Sequence, residues 1–123
     1  MIDKIDLKND NVIGFKVKGK VDDLSFKESA LEILDALEDD SHFNIYLEIE
    51  SLSGVEFQVL FDSLKLGLSH LGDYLKKVDK IAVVTNIGWF ERATKIENKL
   101  ISSIEEKVFK PGEREMAKAW VST

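Results

Sequence analysis

The sequence predicts a single α/β domain, spanning residues 1–123, built on a mixed β-sheet with elements in the order ββαβαβαβα. Two observations predict this class. Segments that alternate apolar and polar residues, as strands do, take turns with segments whose apolar residues recur every three or four positions, as in amphipathic helices. The first two strands are joined only by the short turn KNDN, which is typical of an antiparallel hairpin. Strands separated by helices are parallel, so we expect a mainly parallel sheet with an antiparallel N-terminal strand.

The first half of the chain supplies a hairpin, a helix and a strand. IDKIDL and VIGFKVKGKV form the hairpin strands, and SFKESALEILDALEDD has one apolar stripe typical of a helix. FNIYLEIE alternates strictly, which predicts a strand with one buried face and one solvated face. If it pairs with the second strand, Glu48 and Glu50 face Lys16 and Lys18 across the outer surface of the sheet.

A long helix is predicted over residues 51–75, and it is apolar on two sides. Its core stripe contains Phe57, Leu60, Phe61, Leu64, Leu68 and Leu71. Val55, Val59 and Leu66 project nearly opposite that stripe at about 100° per residue. Three interpretations remain open for this second stripe: scattered exposed residues, an isologous homodimer contact, or a ligand or lid surface.

The second half begins with KIAVVT, an apolar strand typical of the centre of a sheet. Asn86 or Gly88 can cap the helix that is predicted to follow. KVF predicts a last short strand, and GEREMAKAWV predicts a last helix. The helix after KIAVVT has one stripe of Trp89, Ala93, Ile96, Leu100 and Ile104, and the last helix turns Met116, Ala117, Trp120 and Val121 inward.

Composition argues against several classes of function. The chain has no cysteine, so thiol catalysis, disulfides and thiolate metal sites are excluded. A net charge of −6 opposes binding to nucleic acid. No apolar run approaches the length of a membrane span, and the start MIDKIDLKND lacks a signal-peptide core. We therefore expect a cytoplasmic protein without nucleic-acid partners or membrane insertion.

Catalytic and metal-binding patterns are weak. The only histidines are His42 and His70, and neither stands in a nucleophile motif. Asp39 and Asp40 with His42 are three potential metal ligands in one acidic turn, a pattern that occurs by chance. Neither GxGxxG nor GxxxxGK[ST] is present. We expect no enzyme activity, no metal and no cofactor.

Two predicted strand-to-helix corners remain candidate sites, because free amides at a helix N-terminus can hold an anion. One corner contains Ser53 and Gly54. The other contains Asn86, Gly88, Trp89 and Phe90, where the two aromatic rings could form one wall of an apolar pocket. Helix capping and packing of Trp89 over the sheet are the alternative interpretations.

This order of elements, with KIAVVTNIGWFER, the later KVF and the terminal EREMAKAWV, resembles the SpoIIAA-like family of small bacterial proteins. The resemblance implies a fold similar to the STAS domain of anti-sigma-factor antagonists and to CRAL-TRIO lipid-carrier domains. Phosphoregulated STAS proteins carry an Asp-Ser-Ser-Gly-like motif at the helix after the central strand. Here ESLSGV lies in that region, without the aspartate and with Leu52 between the serines. The resemblance thereby makes Ser51 and Ser53 candidate phosphoserines.

These observations together favour a non-enzymatic STAS-like interaction or regulatory module, homodimeric through Val55, Val59 and Leu66 and able to bind a regulatory protein partner. The alternative is a carrier or sensor of a small apolar, lipid-like ligand held beside Trp89.

Overall fold

A computed structural model describes residues 2–19, 28–33, 35, 42–50, 76–85 and 104–123 of the chain. Its strands are β1 (Ile2–Ile5), β2 (Val12–Lys18), β3 (Phe43–Glu50), β4 (Val78–Thr85) and β5 (Glu105–Phe109). Residues 28–33 form a helical segment, α1. A short 3-10 turn, Pro111–Glu113, leads into helix α2 (Arg114–Val121). Neither described helix is long and apolar enough to cross a membrane.

The five described strands form one mixed sheet in the order β1-β2-β3-β4-β5. β1 pairs antiparallel with β2, and every later pair is parallel. The predicted fold class, a mainly parallel sheet with an antiparallel N-terminal strand, is therefore confirmed. The carboxyl ends of β2 to β5 consequently lie at one edge of the sheet, and their amino ends lie at the other.

Apolar side chains are buried on both faces of this sheet, because successive residues of a strand point to opposite sides. One face holds Phe43, Ile45, Val78, Ile81 and Ile104, with Ile33 of α1 packed against them. The opposite face holds Val12, Tyr46, Ala82, Val84 and Phe109, and Ala117 and Val121 of α2 cover it. A helix therefore lies across the face that the alternation pattern predicted to be solvated.

The prediction that one face of β3 is solvated is wrong, because α2 covers the face that contains Tyr46 and Glu48. The predicted register is confirmed, since Lys16 lies opposite Glu48 and Lys18 opposite Glu50. Glu48 is nevertheless only 5 % exposed, because α2 lies over this part of the sheet. Alternation identifies which residues share a face, but it does not reveal whether another element covers that face.

Two further predictions need correction at the C-terminal end. Met116 was expected to point inward, but it is 59 % exposed, whereas Ala117 and Val121 are fully buried. An eight-residue helix buries only a narrow stripe, and Met116 lies about 100° away from Ala117. Ile104 was expected on a helix, but it lies in a bend directly before β5 and its side chain is buried.

Candidate functional site

The sites predicted from the sequence lie outside the described residues. This applies to the stripe Val55, Val59 and Leu66, to the candidate phosphoserines Ser51 and Ser53, and to both corners, Ser53 with Gly54 and Asn86 with Gly88, Trp89 and Phe90. They stay predictions. The described residues instead bring together a buried polar cluster that sequence reasoning did not identify.

This cluster lies on the face covered by α2, toward the carboxyl ends of the strands. Tyr46, Glu48 and Glu50 alternate along β3 and therefore share that face. Lys16 of β2 lies opposite Glu48, and Arg114 opens α2 above them. We call these five residues the Glu48 cluster. In open α/β sheets, ligands bind at the carboxyl ends of the strands. The Glu48 cluster therefore lies at the edge of the sheet where a ligand site is expected.

Glu48 is the centre of the cluster. The Tyr46 hydroxyl donates a hydrogen bond of 2.6 Å to Glu48 Oε1. Arg114 Nε lies 3.3 Å from the same oxygen. This arginine nitrogen is buried and makes no hydrogen bond, so its contact with Glu48 is an ion pair only. The carboxylate is therefore held between a phenol and a guanidinium.

Glu50 lies nearer to solvent and links the remaining cations. Arg114 Nη2 donates a hydrogen bond of 3.3 Å to Glu50 Oε1. Lys16 Nζ is 3.6 Å from that same oxygen. Lys16 therefore forms its ion pair with Glu50, diagonally across the strands, and not with Glu48 directly opposite. Two carboxylates and two cations balance the charge of the cluster.

The environment of Tyr46 keeps its hydroxyl protonated. Burial, reinforced by the hydrogen bond to the Glu48 carboxylate, raises the pKa of Tyr46 far above its usual range. Tyr46 is therefore a hydrogen-bond donor throughout the physiological pH range, and its oxygen does not become a phenolate nucleophile or base.

A second group of polar contacts fixes the end of α2 at the opposite edge of the sheet. Asn44 Nδ2 donates to the carbonyl of Val121 at 2.6 Å, and Asn44 Oδ1 accepts from the backbone of Lys80 at 2.9 Å. Lys80 Nζ donates to the carbonyl of Trp120 at 3.4 Å and to Thr123 Oγ1 at 2.8 Å. An ammonium at a helix C-terminus also complements the helix dipole. Both ends of α2 are thus tied to the sheet.

Trp120 lies on the flank of α2 that faces β5. Its ring centroid is 5.9 Å from that of Phe109. The ammonium groups of Lys80 and Lys107 lie 5.3 Å and 5.8 Å from the Trp120 centroid, within cation–π range. Met116 is one helical turn earlier, and α2 therefore carries it on the same flank. We call Lys107, Met116 and Trp120 the Trp120 surface.

The residues considered for catalysis form no catalytic arrangement in the described part of the chain. His42 Nδ1 lies 3.0 Å from Asp79 Oδ1, and both side chains are more than half exposed. Within the described ranges no group of three or more His, Asp or Glu side chains could hold a metal ion. Asp39, Asp40 and His70 are outside those ranges.

Two sequence signals point to the Glu48 cluster in retrospect. The second face of β3 contains a tyrosine and an asparagine besides its glutamates. A tyrosine in a strand is typical of a surface that is at least half-buried. The predicted last helix also has an apolar stripe that must be buried against some face of the sheet. Nothing in the spacing of the sequence relates Arg114 to Glu48, because the two residues lie far apart in the chain and their contact depends on the tertiary fold.

Comparison with known proteins identifies the family. The SpoIIAA-like family model matches residues 12–122, which is nearly the whole chain. The chain belongs to the SpoIIAA-like family. The resemblance inferred from the sequence is thereby confirmed, and the match includes β2 to β5 and α2. No curated protein and no solved structure is significantly similar to this SpoIIAA-like chain.

Proposed function

We propose that this SpoIIAA-like domain is a non-enzymatic regulatory module that acts in the cytoplasm by binding another protein. The observation that carries the proposal is the family match over residues 12–122, together with the STAS-like sheet. A homodimer through Val55, Val59 and Leu66 is part of the same proposal, as the sequence pattern predicts.

The chemistry of the Glu48 cluster supports a binding role over a catalytic one. A general base needs an accessible carboxylate that can accept a proton from a substrate. Glu48 is buried, and one of its oxygens is already engaged by Tyr46 and Arg114. Glu50 is engaged by Arg114 and Lys16. These contacts stabilise the junction between β3 and α2 and leave its charges mutually compensated.

The test is a native mass spectrum of the protein purified from its own cells without a denaturing step. We expect a homodimer, or a complex with a second protein at fixed stoichiometry. The double variant Val59→Asp with Leu66→Asp should shift the dimer to monomer, while Leu31→Asp, on an already exposed residue of α1, should leave it intact.

A reproducible small adduct on the subunit would instead support the alternative of an apolar-ligand carrier. The proposed function would be contradicted if the unsubstituted protein and both variants were all monomers without any bound protein or small molecule.

A further inference from the structure

We infer that the Trp120 surface binds an acidic segment of a partner protein, one in which a large apolar side chain is flanked by carboxylates. This inference rests on the proposed function and extends it, because it names the surface and the chemistry of the partner. The surface differs from the predicted stripe on residues 51–75.

The apolar part of the surface is a tryptophan next to an exposed methionine. Met116 is 59 % exposed, and Leu31 is the other large apolar side chain exposed in the described part of the chain. Trp120 packs on the core but is only partly buried. Tryptophan and methionine are enriched at protein interfaces, and tryptophan is among the residues that contribute most to binding.

Charge determines what kind of partner fits. The chain has a net charge of −6, yet the ammonium groups of Lys80 and Lys107 lie 5.3 Å and 5.8 Å from the Trp120 ring centroid. Lys107 is exposed and makes no ion pair with a carboxylate among the described residues; its ammonium lies over the Phe109 and Trp120 rings. A carboxylate of a partner would therefore meet an available cation directly beside an apolar contact.

The surface is also preorganised. Arg114 binds Glu48 and Glu50 at the start of α2, and Asn44 binds the Val121 carbonyl at its end. Lys80 is held in place by Thr123 and the Trp120 carbonyl. Binding therefore requires little ordering of the helix, which reduces the entropy cost of association.

Charge also argues against a second copy of this chain as the occupant. In a two-fold contact the same patch lies on both subunits, so Lys107 and Lys80 would approach their own equivalents. Like charges placed opposite each other are destabilising. An acidic segment of a different protein places opposite charges together.

The experiment uses the full chain labelled with ¹⁵N and a short synthetic peptide that has one central leucine flanked by glutamates. Control peptides replace the glutamates with lysines, or the leucine with glycine. We expect the glutamate–leucine peptide to shift the Trp120 indole N–H resonance, assigned from Trp120→Phe, with an affinity that falls as salt increases.

Substitutions then locate the contact. Met116→Ser and Lys107→Glu should each weaken peptide binding at least about fivefold, as expected of residues central to an interface. Leu31→Ser matches Met116→Ser in exposure, and Lys8→Glu in the β1–β2 turn matches the charge change of Lys107→Glu. Both controls should leave the affinity unchanged.

In the peptide experiment, the inference would be overturned by no shift at Trp120, by equal binding of the lysine peptide, or by equal weakening in the two control variants. Self-association that is lost in Met116→Ser would also overturn it, in favour of a second copy. A native complex with a protein partner that survives Met116→Ser and Lys107→Glu would refute this surface while the proposed function stands.

Discussion

At the scale of single residues, Glu48 decides how α2 is held on the sheet. It is the buried carboxylate that both Tyr46 and Arg114 contact. Glu48→Ala would leave the buried Tyr46 hydroxyl without its acceptor and would remove the carboxylate beside Arg114 Nε, so that Glu50 remains the carboxylate partner of Arg114. We expect a loss of about 3 kcal/mol in the free energy of unfolding, the lower end of the range for a broken buried pair, because Arg114 retains some access to water.

Two other substitutions in the same cluster should cost less free energy of unfolding than Glu48→Ala. Tyr46→Phe removes one hydrogen bond to a charged group and should cost about 1–2 kcal/mol. Glu50→Ala removes ion pairs that are closer to solvent and should cost less than about 1 kcal/mol. Urea unfolding of the three variants measures the order. Equal losses for Glu48→Ala and Glu50→Ala would show that burial of Glu48 does not control the energetics.

At the scale of elements, α2 is too short to be stable by itself and depends on its contacts with the sheet. Asn44 makes one of these contacts by donating to the Val121 carbonyl, and its side-chain oxygen also accepts from the Lys80 amide within the sheet. Asn44→Ala should cost about 2 kcal/mol, because it leaves one buried and one partly buried backbone group without this partner. Amide hydrogen exchange should accelerate mainly in residues 117–121. Asn9→Ala serves as the control, with little expected change, because it removes only exposed bonds, one of 3.3 Å to the Ser122 carbonyl and one of 2.9 Å from the Asn11 amide.

The prediction would be contradicted if exchange in α2 stayed at the rate of the unsubstituted protein, or if the strands β2 and β3 opened equally. The first result would mean that Ala117 and Val121 hold the helix without Asn44. The second would mean that α2 and the sheet open only together.

The elements also show which features of this fold a sequence can reveal. Strict alternation predicted β3 and its register with β2, because period-two patterning and cross-strand charge pairing are local properties. The same pattern could not reveal that α2 covers Glu48, since that depends on a chain segment far away in sequence. The prediction of which residues of α2 are buried was partly wrong for a related reason. Met116 and Ala117 are both apolar, and a helix of eight residues has too few turns for the pattern to show which of them faces the sheet.

The Glu48 cluster and the Trp120 surface were also only partly predictable from the sequence, because contacts between distant segments form only in the tertiary fold. Lys16, Glu48 and Glu50 were recognised as neighbours, but their grouping with Arg114 and Tyr46 arises only when α2 packs on the sheet. Trp120 was correctly expected to pack on the core, whereas the ammonium groups around it come from two different strands.

At the scale of the whole molecule, β4 couples the two faces of the sheet, since its side chains enter both cores. Ile81 packs on the face contacted by α1, and Val84 packs on the face covered by α2. Both are 2 % exposed, so they form a matched pair of sites on one strand. If the two cores unfold as one cooperative unit, a cavity on either face must destabilise both faces equally.

We therefore expect Ile81→Ala and Val84→Ala each to lower the free energy of unfolding by about 2 kcal/mol or more. The Trp120 indole N–H resonance reports on α2, and far-ultraviolet circular dichroism reports on the whole chain. In Ile81→Ala both signals should shift to the same lower urea midpoint, although Ile81 and Trp120 lie on opposite faces of the sheet. If α2 were a separately unfolding layer, Val84→Ala would move the Trp120 transition ahead of the circular dichroism transition, and Ile81→Ala would leave the midpoint of the Trp120 signal unchanged.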